Sequence, residues 1–492
     1  MRLTLDPTDI TDYRRFIAVK RMPRYAVSGE SVEFPDEYAG SLGLSAPTYI
    51  TADYRPSPFL FDYQRDIAAL ALRKEKFACF AEPGLGKTLI AGEYLRTVAD
   101  LLTGDKCALM VAPLNVVSQT LEEFAKFYGD GMPVEQVRSA QLNSWLASGT
   151  SRIGITNYEA LTDDIEPGRL ACLVPDEASL MKSHYGKWGG RLVELGKGLR
   201  WKLTLTGTPA PNDRIEYAMQ AVFLDQFPTL NAFLARYFVN RGQTDNRWEL
   251  KPHALRPFYR SLSHWCIFLS NPATYGWTDN AGSLPPIHTH IHDVELTEEQ
   301  KALVVRSGGD MFGTPGGITS RAKLAQLAKG RHEGEDVPSN KPDFIRRLVD
   351  SWPDESTLIW CRYNAEQDGI ARMFHDAANI DGSTPQDDRE RLIRDFKEGR
   401  RRVLISKPKI LGFGLNLQIA TRQVFSTCQD SYEEYFQAVK RSNRIGSTRP
   451  LNVHIPVTSI ERPMVDTVIR KAGEIQRDTE EQEHIFKECR PC

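Results

Sequence analysis

With 492 residues the chain is long enough for two or three domains with substantial cores, and its 41% hydrophobic content excludes a disordered polymer. A formal net charge of −2 excludes a polycation, so any nucleic-acid contact must come from local basic surfaces. No apolar run reaches the length of a membrane crossing, and the opening Met1-Arg2-Leu3-Thr4 lacks the apolar core of a signal peptide, so an intracellular protein with no membrane partner is expected.

Residues 1–55 form an accessory extension. Arg14, Arg15, Lys20, Arg21 and Arg24 cluster there, with Tyr13, Phe16 and Tyr25 between them. Such a stretch either touches nucleic acid or is the solvated face of a small module. Pro56 and Pro58 mark the boundary to a first lobe, 56–225. There, apolar strand patterns at 76–81, 107–112, 152–156, 170–174 and 201–206 alternate with helical patterns at 62–72, 89–101, 117–127 and 185–195. The alternation predicts a parallel sheet covered by helices. Ligands on such sheets bind beyond the carboxyl ends of the strands.

Three polar motifs fall at those ends. The first is Ala81-Glu82-Pro83-Gly84-Leu85-Gly86-Lys87-Thr88, between an apolar strand and a helix. Strand, turn and helix N-terminus aim backbone amides into one concavity that suits a triphosphate. Gly84 and Gly86 let the backbone of Gly84, Leu85 and Gly86 approach phosphates closely. Lys87 reaches the outer phosphates, and the Thr88 hydroxyl ligates magnesium. The second motif is Asp176-Glu177-Ala178-Ser179. Asp176 can hold magnesium opposite Thr88, and Glu177 can orient and deprotonate the attacking water. The third, Thr206-Gly207-Thr208-Pro209-Ala210-Pro211-Asn212, is a hydroxyl-rich turn that can bond both to the Asp176–Glu177 loop and to a bound polymer.

Residues 226–338 are dense in aromatics, including Phe227, Phe233, Tyr237, Phe258, Trp265 and Phe268, mixed with arginines. They are expected to form a mainly helical insertion and linker, with the aromatics either in a core or stacking on bases. Leu284-Pro285-Pro286 interrupts it, and helical patterns at 297–305 and 320–329 follow. A second alternating pattern runs through a lobe at 339–470, with strands at 357–361, 403–406, 423–426 and 452–455. It has no P-loop. Arg441 and Arg444, three apart, would project from one helix face and suit bidentate phosphate contacts. From Arg389 to Lys409 nine Lys/Arg face three Asp/Glu, which makes a track for a polyanion or a solvated helix. Residues 471–492 form a terminal helix and tail. Most of the eight cysteines lie in or beside apolar runs, and the lone C-x-x-C, Cys489 and Cys492, lacks the further ligands that zinc needs.

Taken together, the motifs resemble superfamily 2 helicases, and most closely their Swi/Snf-like branch, over residues 58–475. Ala81 to Thr88 matches the A-x-x-G-x-G-K-T form of the P-loop. Val111-Ala112-Pro113-Leu114 resembles motif Ia, and Thr156-Asn157-Tyr158-Glu159 resembles Ib. Asp176 to Ser179, followed by Lys182 and Lys187, resembles the branch's Asp-Glu-Ala-His motif, with Ser179 in the histidine place. Thr206 to Asn212 is similar to motif III. Asp381-Gly382-Ser383-Thr384 and Gly412 to Leu417 match the second lobe, and Gln437, Arg441, Arg444 and Ile445-Gly446 are similar to motif VI.

The resemblance implies two tandem RecA-like α/β lobes with ATP and Mg2+ in the cleft. It makes Gln64 the adenine-reading residue, adds Gly414 to the nucleotide site, and turns Arg441 and Arg444 toward the nucleotide. It implies a nucleic-acid-stimulated ATPase, a double-stranded DNA translocase, acting as a monomer or with a recruiting protein partner. A strand-separating helicase, the motor subunit of a restriction or defence complex, and a non-catalytic nucleic-acid-binding scaffold share the same motor core.

Overall fold

Parallel strands covered by helices on both faces read as unbroken apolar runs, and such runs place the central strands of this protein. The computed structural model describes residues 1–22, 24–44, 54–149, 151–181, 186–210, 213–242, 248–278, 284–306, 323–411, 415–427, 432–444 and 447–489. The chain divides into two units, Met1–Asn280 with Gln476–Cys492, and Ala281–Ile475.

The first unit begins with a small antiparallel sheet of β1 (Arg2–Thr4), β2 (Ala26–Ser28) and β3 (Ser31–Glu33), in the order β1-β3-β2. Helix α1 (Ile10–Lys20) joins β1 to β2, capped by the Asp9 carboxylate, which accepts from the Thr11 amide. Leu5, Val19, Met22, Val32, Phe34, Tyr38 and Leu42 give this module its own core.

The main sheet is made of β4 (Lys76–Ala81), β5 (Cys107–Ala112), β6 (Val134–Gln136), β7 (Ile153–Asn157), β8 (Leu170–Pro175) and β9 (Trp201–Thr206). After a ribbon of β10 (Phe238–Asn240) and β11 (Trp248–Leu250), strand β12 (Cys266–Leu269) completes it. The order is β12-β4-β9-β8-β5-β7-β6, and every pairing is parallel. Helices α2 (Asp62–Lys74), α3 (Lys87–Leu101) and α4 (Leu114–Tyr128) are among those that flank it. The five strands expected from the apolar runs are present. β6 was not legible, because Val134-Glu135-Gln136 is short and polar.

Residues 226–338, expected to be mainly helical, also supply strands. β12 pairs with β4 at the sheet edge. The aromatics of this stretch are core: Phe227, Phe233, Tyr237, Phe238, Phe258 and Trp265 are buried. Phe258 meets Phe233, Tyr237 and Phe238 edge-on, with centroids 5.4–6.1 Å apart. Buried rings of this kind cannot stack on bases. Five cysteines, Cys79, Cys107, Cys172, Cys266 and Cys361, are buried free thiols. No helix among the described residues is long and apolar enough to cross a membrane.

The second unit holds β13 (Ile287–Asp293), the hairpin β14 (Arg331–His332) and β15 (Glu335–Asp336), then β16 (Thr357–Trp360), β17 (Ala378–Asn379), β18 (Val403–Ser406), β19 (Arg422–Phe425) and β20 (Leu451–Val457). Six of these form a parallel sheet, in the order β13-β20-β19-β16-β18-β17. β13 was hidden in the presumed linker because its Ile-His alternation is that of an exposed edge strand.

A buried ion triad joins three segments of this unit. Lys329 Nζ donates to Glu461 Oε1 at 2.6 Å, and Lys341 Nζ donates to Glu461 Oε2 at 2.8 Å. Burial alone would raise the Glu461 pKa. The two ammonium charges outweigh it and bring it from 4.5 to about 2. A depressed carboxylate contributes stability that is complete above pH 4.5 and is lost as pH falls toward 2.

Glu461→Gln should therefore destabilise this unit by about 3–5 kcal/mol, because two buried ammonium groups lose their counter-charge. Replacing Lys329, Lys341 and Glu461 together by Met should recover most of the loss. Hydrogen exchange of the β16, β19 and β20 amides reads both effects. Equal destabilisation by the single and triple variants would mean that the charges are not what matters.

Candidate functional site

β4 stops at Ala81 and α3 starts at Lys87, so residues 82–86 must turn sharply. Gly84 (φ +96°) and Gly86 (φ +70°) take up the turn in conformations that other residues avoid. At Gly86 a Cβ would also stand 2.2 Å from Gln64 Nε2. Gly86 is the N-cap of α3 and no side chain caps the helix. The amides at this end, with the helix dipole behind them, form a cradle for an anion.

Gln64 and Tyr63, at the start of α2, hold the turn from behind. Gln64 Nε2 and Tyr63 Oη both donate to the Leu85 carbonyl, at 3.4 and 3.2 Å. Gln64 Oε1 accepts from the Phe61 amide at 3.0 Å. The Glu82 amide donates to the Leu269 carbonyl at 2.9 Å, which ties the start of the turn to β12. Lys87 Nζ curls back to the Ala81 carbonyl at 2.7 Å. Thr88, half-buried, follows in the first turn of α3.

Two strands away, β8 delivers Asp176 and Glu177. The Asp176 amide donates to Val111 O at 2.8 Å, and the Tyr158 hydroxyl donates to the Asp176 carbonyl at 2.6 Å. Burial and the neighbouring Glu177 charge push the Asp176 carboxyl up to about 7, while the positive charge of Lys87 pulls against them. Lys87, Asp176 and Glu177 thus share one electrostatic site. Glu177 sits at φ +49°, in the left-handed region where a glutamate is strained. Its Oε2 accepts from Thr206 Oγ1 at 3.4 Å, and that hydroxyl accepts from the Thr208 amide at 3.2 Å. The hydroxyl-rich turn after β9 therefore holds the second carboxylate. Ser179 is buried.

The Thr88 hydroxyl and the Asp176 carboxylate are hard oxygen donors of the kind magnesium takes. Among the described residues no group of three or more His, Cys, Asp or Glu could hold a metal ion unaided. A divalent cation here would complete its shell with nucleotide oxygens and water. The donor set and the uncapped cradle fit a magnesium–nucleotide complex.

In the second unit the expected pair of arginines is placed differently. The helix Tyr432–Val439 ends before them, so Arg441 and Arg444 lie in a turn and not on one helix face. Beyond the helix, polar side chains of the turn reach tertiary partners. Gln423 Nε2 donates to Ser442 Oγ at 2.8 Å, and Asn443 Nδ2 donates to Pro285 O at 2.8 Å. Arg441 is buried, and its carbonyl accepts from the Leu417 amide at 3.0 Å. Arg444 is half-buried and Nη1 donates to Leu415 O at 3.4 Å. The segment around 415–417 and the arginine turn are thus bonded to each other. Gly414, Lys182, Ile445 and Gly446 lie outside the described residues, as do Pro211 and Asn212.

Among the described residues, four of the nine cations in 389–409 make ion pairs within the protein: Arg391 with Asp388, Arg400 with Asp395 and Glu398, Arg401 with Asp395, and Lys409 with Glu434. Asp381 accepts from the Ser383 and Thr384 amides and so closes its own turn. Tyr158 is the residue whose role the sequence concealed. It stands in a recognisable motif, but only the fold aims its hydroxyl at Asp176.

Comparison with known proteins places two family domains on the chain. Residues 73–343 match the SNF2-related domain and residues 340–446 match the helicase conserved C-terminal domain. Among curated relatives, the DNA annealing helicase and endonuclease ZRANB3 of Mus musculus is 25% identical over 440 residues, 84% of this chain and 40% of that protein. The chain thus spans well under half the length of that relative. Putative protein p41 of Acyrthosiphon pisum secondary endosymbiont phage 1 is 24% identical over 439 residues, 80% of this chain and 91% of that protein. Among solved structures, the Sulfolobus solfataricus SWI2/SNF2 ATPase core in complex with dsDNA is similar at TM-score 0.41 and 19% identity, covering 90% of this chain and 99% of that one.

The strain at Glu177 is measurable. Glu177→Gly and Glu177→Ala both remove the carboxylate, but only glycine relieves the backbone, so the glycine variant should be more stable than the alanine variant by about 1 kcal/mol. Tyr158→Phe should cost about 1–3 kcal/mol by leaving the Asp176 carbonyl without its donor. Denaturant unfolding reads all three. Equal stability of the glycine and alanine variants would show that the turn at Glu177 carries no strain.

Proposed function

The chain belongs to the SNF2-related family, and on that premise we propose that it is an ATP-dependent motor that translocates along double-stranded DNA. The observation that carries this reading is the arrangement after β4, β8 and β9: a phosphate cradle with its lysine, a buried aspartate, and a strained glutamate held by Thr206. A binding scaffold would have no use for a glutamate kept at φ +49°.

Each residue then has a task. The loop amides and Lys87 hold the outer phosphates of ATP, with Lys87 giving up the Ala81 carbonyl for them. Thr88 and Asp176 would hold Mg2+, which would supply charge neutralisation at the phosphates. Glu177 orients a water molecule and takes its proton as the oxygen attacks the γ-phosphorus. The bond from that phosphorus to the β–γ bridging oxygen breaks, giving ADP and phosphate. Thr206 keeps the Glu177 carboxylate aimed, and Thr208, on the same turn, is placed to report polymer contact to it. Gln64, which the resemblance assigns to adenine, is buried and bonded at both ends of its amide to the Phe61 amide and the Leu85 carbonyl, so its part is to hold the phosphate loop. Arg444, less buried than Arg441, is assigned to the charge that develops on the transferred group, and Arg441 to the framework of its turn.

ATP turnover measured with no polymer, single-stranded DNA, duplex DNA or RNA tests the reading, and duplex DNA should stimulate most. Lys87→Ala should lose ATP binding. Glu177→Gln should keep it and lose turnover by a factor of about 100–10,000. Arg444→Ala should bind ATP and DNA yet lose about a thousandfold of DNA-stimulated turnover, and Arg444→Lys should not rescue it, because a point charge cannot replace the planar fork. Parental turnover in Glu177→Gln, or stimulation by RNA alone, would overturn the assignment.

A further inference from the structure

The N-terminal module carries a surface that the ATPase site does not use. Helix α1 turns Val19 inward to the module's core, with Phe16 packed beside it. The opposite face, at helical spacing, presents Ile10, Tyr13, Arg14, Ile17 and Arg21. Ile10 is 63% exposed and Tyr13 55%. Beyond the helix Arg24, Tyr25 and Val27 are exposed as well, the last two at 38% and 45%. A solvated face normally mixes both signs of charge with short polar groups. Here isoleucine, valine and tyrosine are interleaved with cations, and from Tyr13 to Gly29 the chain has five Lys/Arg and no Asp or Glu, in a protein whose net charge is −2.

Partners for these cations are few. Arg15 pairs with Asp12 at 2.8 Å, and Arg24 Nη1 makes a long bond, 3.3 Å, to Gln226. Among the described residues Arg14 and Arg21 have no acidic partner. The module also touches the rest of its unit. Lys74 Nζ lies 6.0 Å from the centroid of the Tyr38 ring and 3.2 Å from His264 Nδ1, and the Tyr38 and His264 rings are 6.4 Å apart. Between module and lobe runs a groove bordered by Arg2, Arg24, Tyr25, Glu33 and His264, in which Arg2 pairs with Glu33 at 3.7 Å. A module seated on the lobe presents its cations with less ordering entropy to lose than a free tether would.

We propose that the outer face of α1, with Arg24 and Tyr25, is a second contact for the DNA backbone, additional to the motor's own grip. Arg14, Arg21 and Arg24 bond phosphate oxygens, and Tyr13 and Tyr25 lie against the sugar–phosphate edge. The proposal rests on the reading of the protein as a DNA motor and adds a site that ATP turnover does not require.

The test compares the parent with the Arg14→Ala/Arg21→Ala/Arg24→Ala variant on a duplex of about 30 base pairs, with affinity followed across salt concentrations. Each neutralised phosphate contributes roughly −0.9 to the log–log slope for duplex DNA. Loss of three contacts should flatten the slope by about 2–3 and weaken binding at least tenfold at low salt, while ATP affinity without DNA stays at the parental value. Charge reversal at Arg14 and Arg21 should weaken binding further. An unchanged slope in the triple variant, with a parent that binds DNA, overturns this site and leaves the motor reading intact. A parent that binds no duplex DNA overturns both. Loss of ATP affinity in the variant would make the face structural and overturn the proposal as well.

Discussion

The parallel pairing of β4, β9 and β8 is the constraint on which the candidate site depends. Because the three strands run the same way and lie side by side, their carboxyl ends open onto one edge. A phosphate-binding turn, two carboxylates and a hydroxyl turn, separated by up to about 125 residues of chain, then share a space that none could form alone. β12 on the far side of β4 and α2 behind the loop clamp the turn through backbone carbonyls. Polar groups aimed at a ligand are only useful if they do not move when charge develops, and here each is held by a neighbour that takes no part in the chemistry.

Holding them there has a cost. Asp176 is buried beside a second carboxylate, and Glu177 occupies a backbone region that suits glycine. Neither is a stable arrangement by itself. Tyr158, Thr206 and the bridge from Asp176 to Leu205 keep the loop in place. The strain at Glu177 and the charge crowding at Asp176 both fall where a cation and a phosphate would compensate them.

The second unit is held together by different means. It fixes its motifs through buried polar contacts: the Lys329–Glu461–Lys341 triad, and Glu366, which accepts from Ser426, Thr427 and the amides of Arg362 and Tyr363. The arginine turn and the 415–417 segment are bonded through main-chain carbonyls, so the position of Arg444 depends on where both segments are anchored. That dependence explains why a helical spacing argument misplaced the pair. Arginine spacing predicts a shared helix face only if the helix continues, and here it stops at Val439, with the Ser442 and Asn443 side chains of the following turn held by Gln423 and the Pro285 carbonyl.

Local sequence was sufficient for whatever follows from short-range rules. Six-residue strand patterns became β4, β5 and β9 within their expected bounds, since short apolar or alternating stretches between helical segments suit a covered parallel sheet. Glycines at 84 and 86, followed by Lys87 and Thr88, specified a phosphate cradle because only that backbone needs two positive φ angles before a helix. The order of the motifs was enough to identify the family. Tertiary structure alone decided the remainder. It made the aromatics of 226–280 a core, recruited β12 and β13 as edge strands, drew Arg391, Arg400, Arg401 and Lys409 of the basic run into internal pairs, and aimed the Tyr158 hydroxyl at Asp176. Each of these outcomes depends on which distant segment arrives as a neighbour, and burial and pairing at long range carry no signal in the residues taken one at a time.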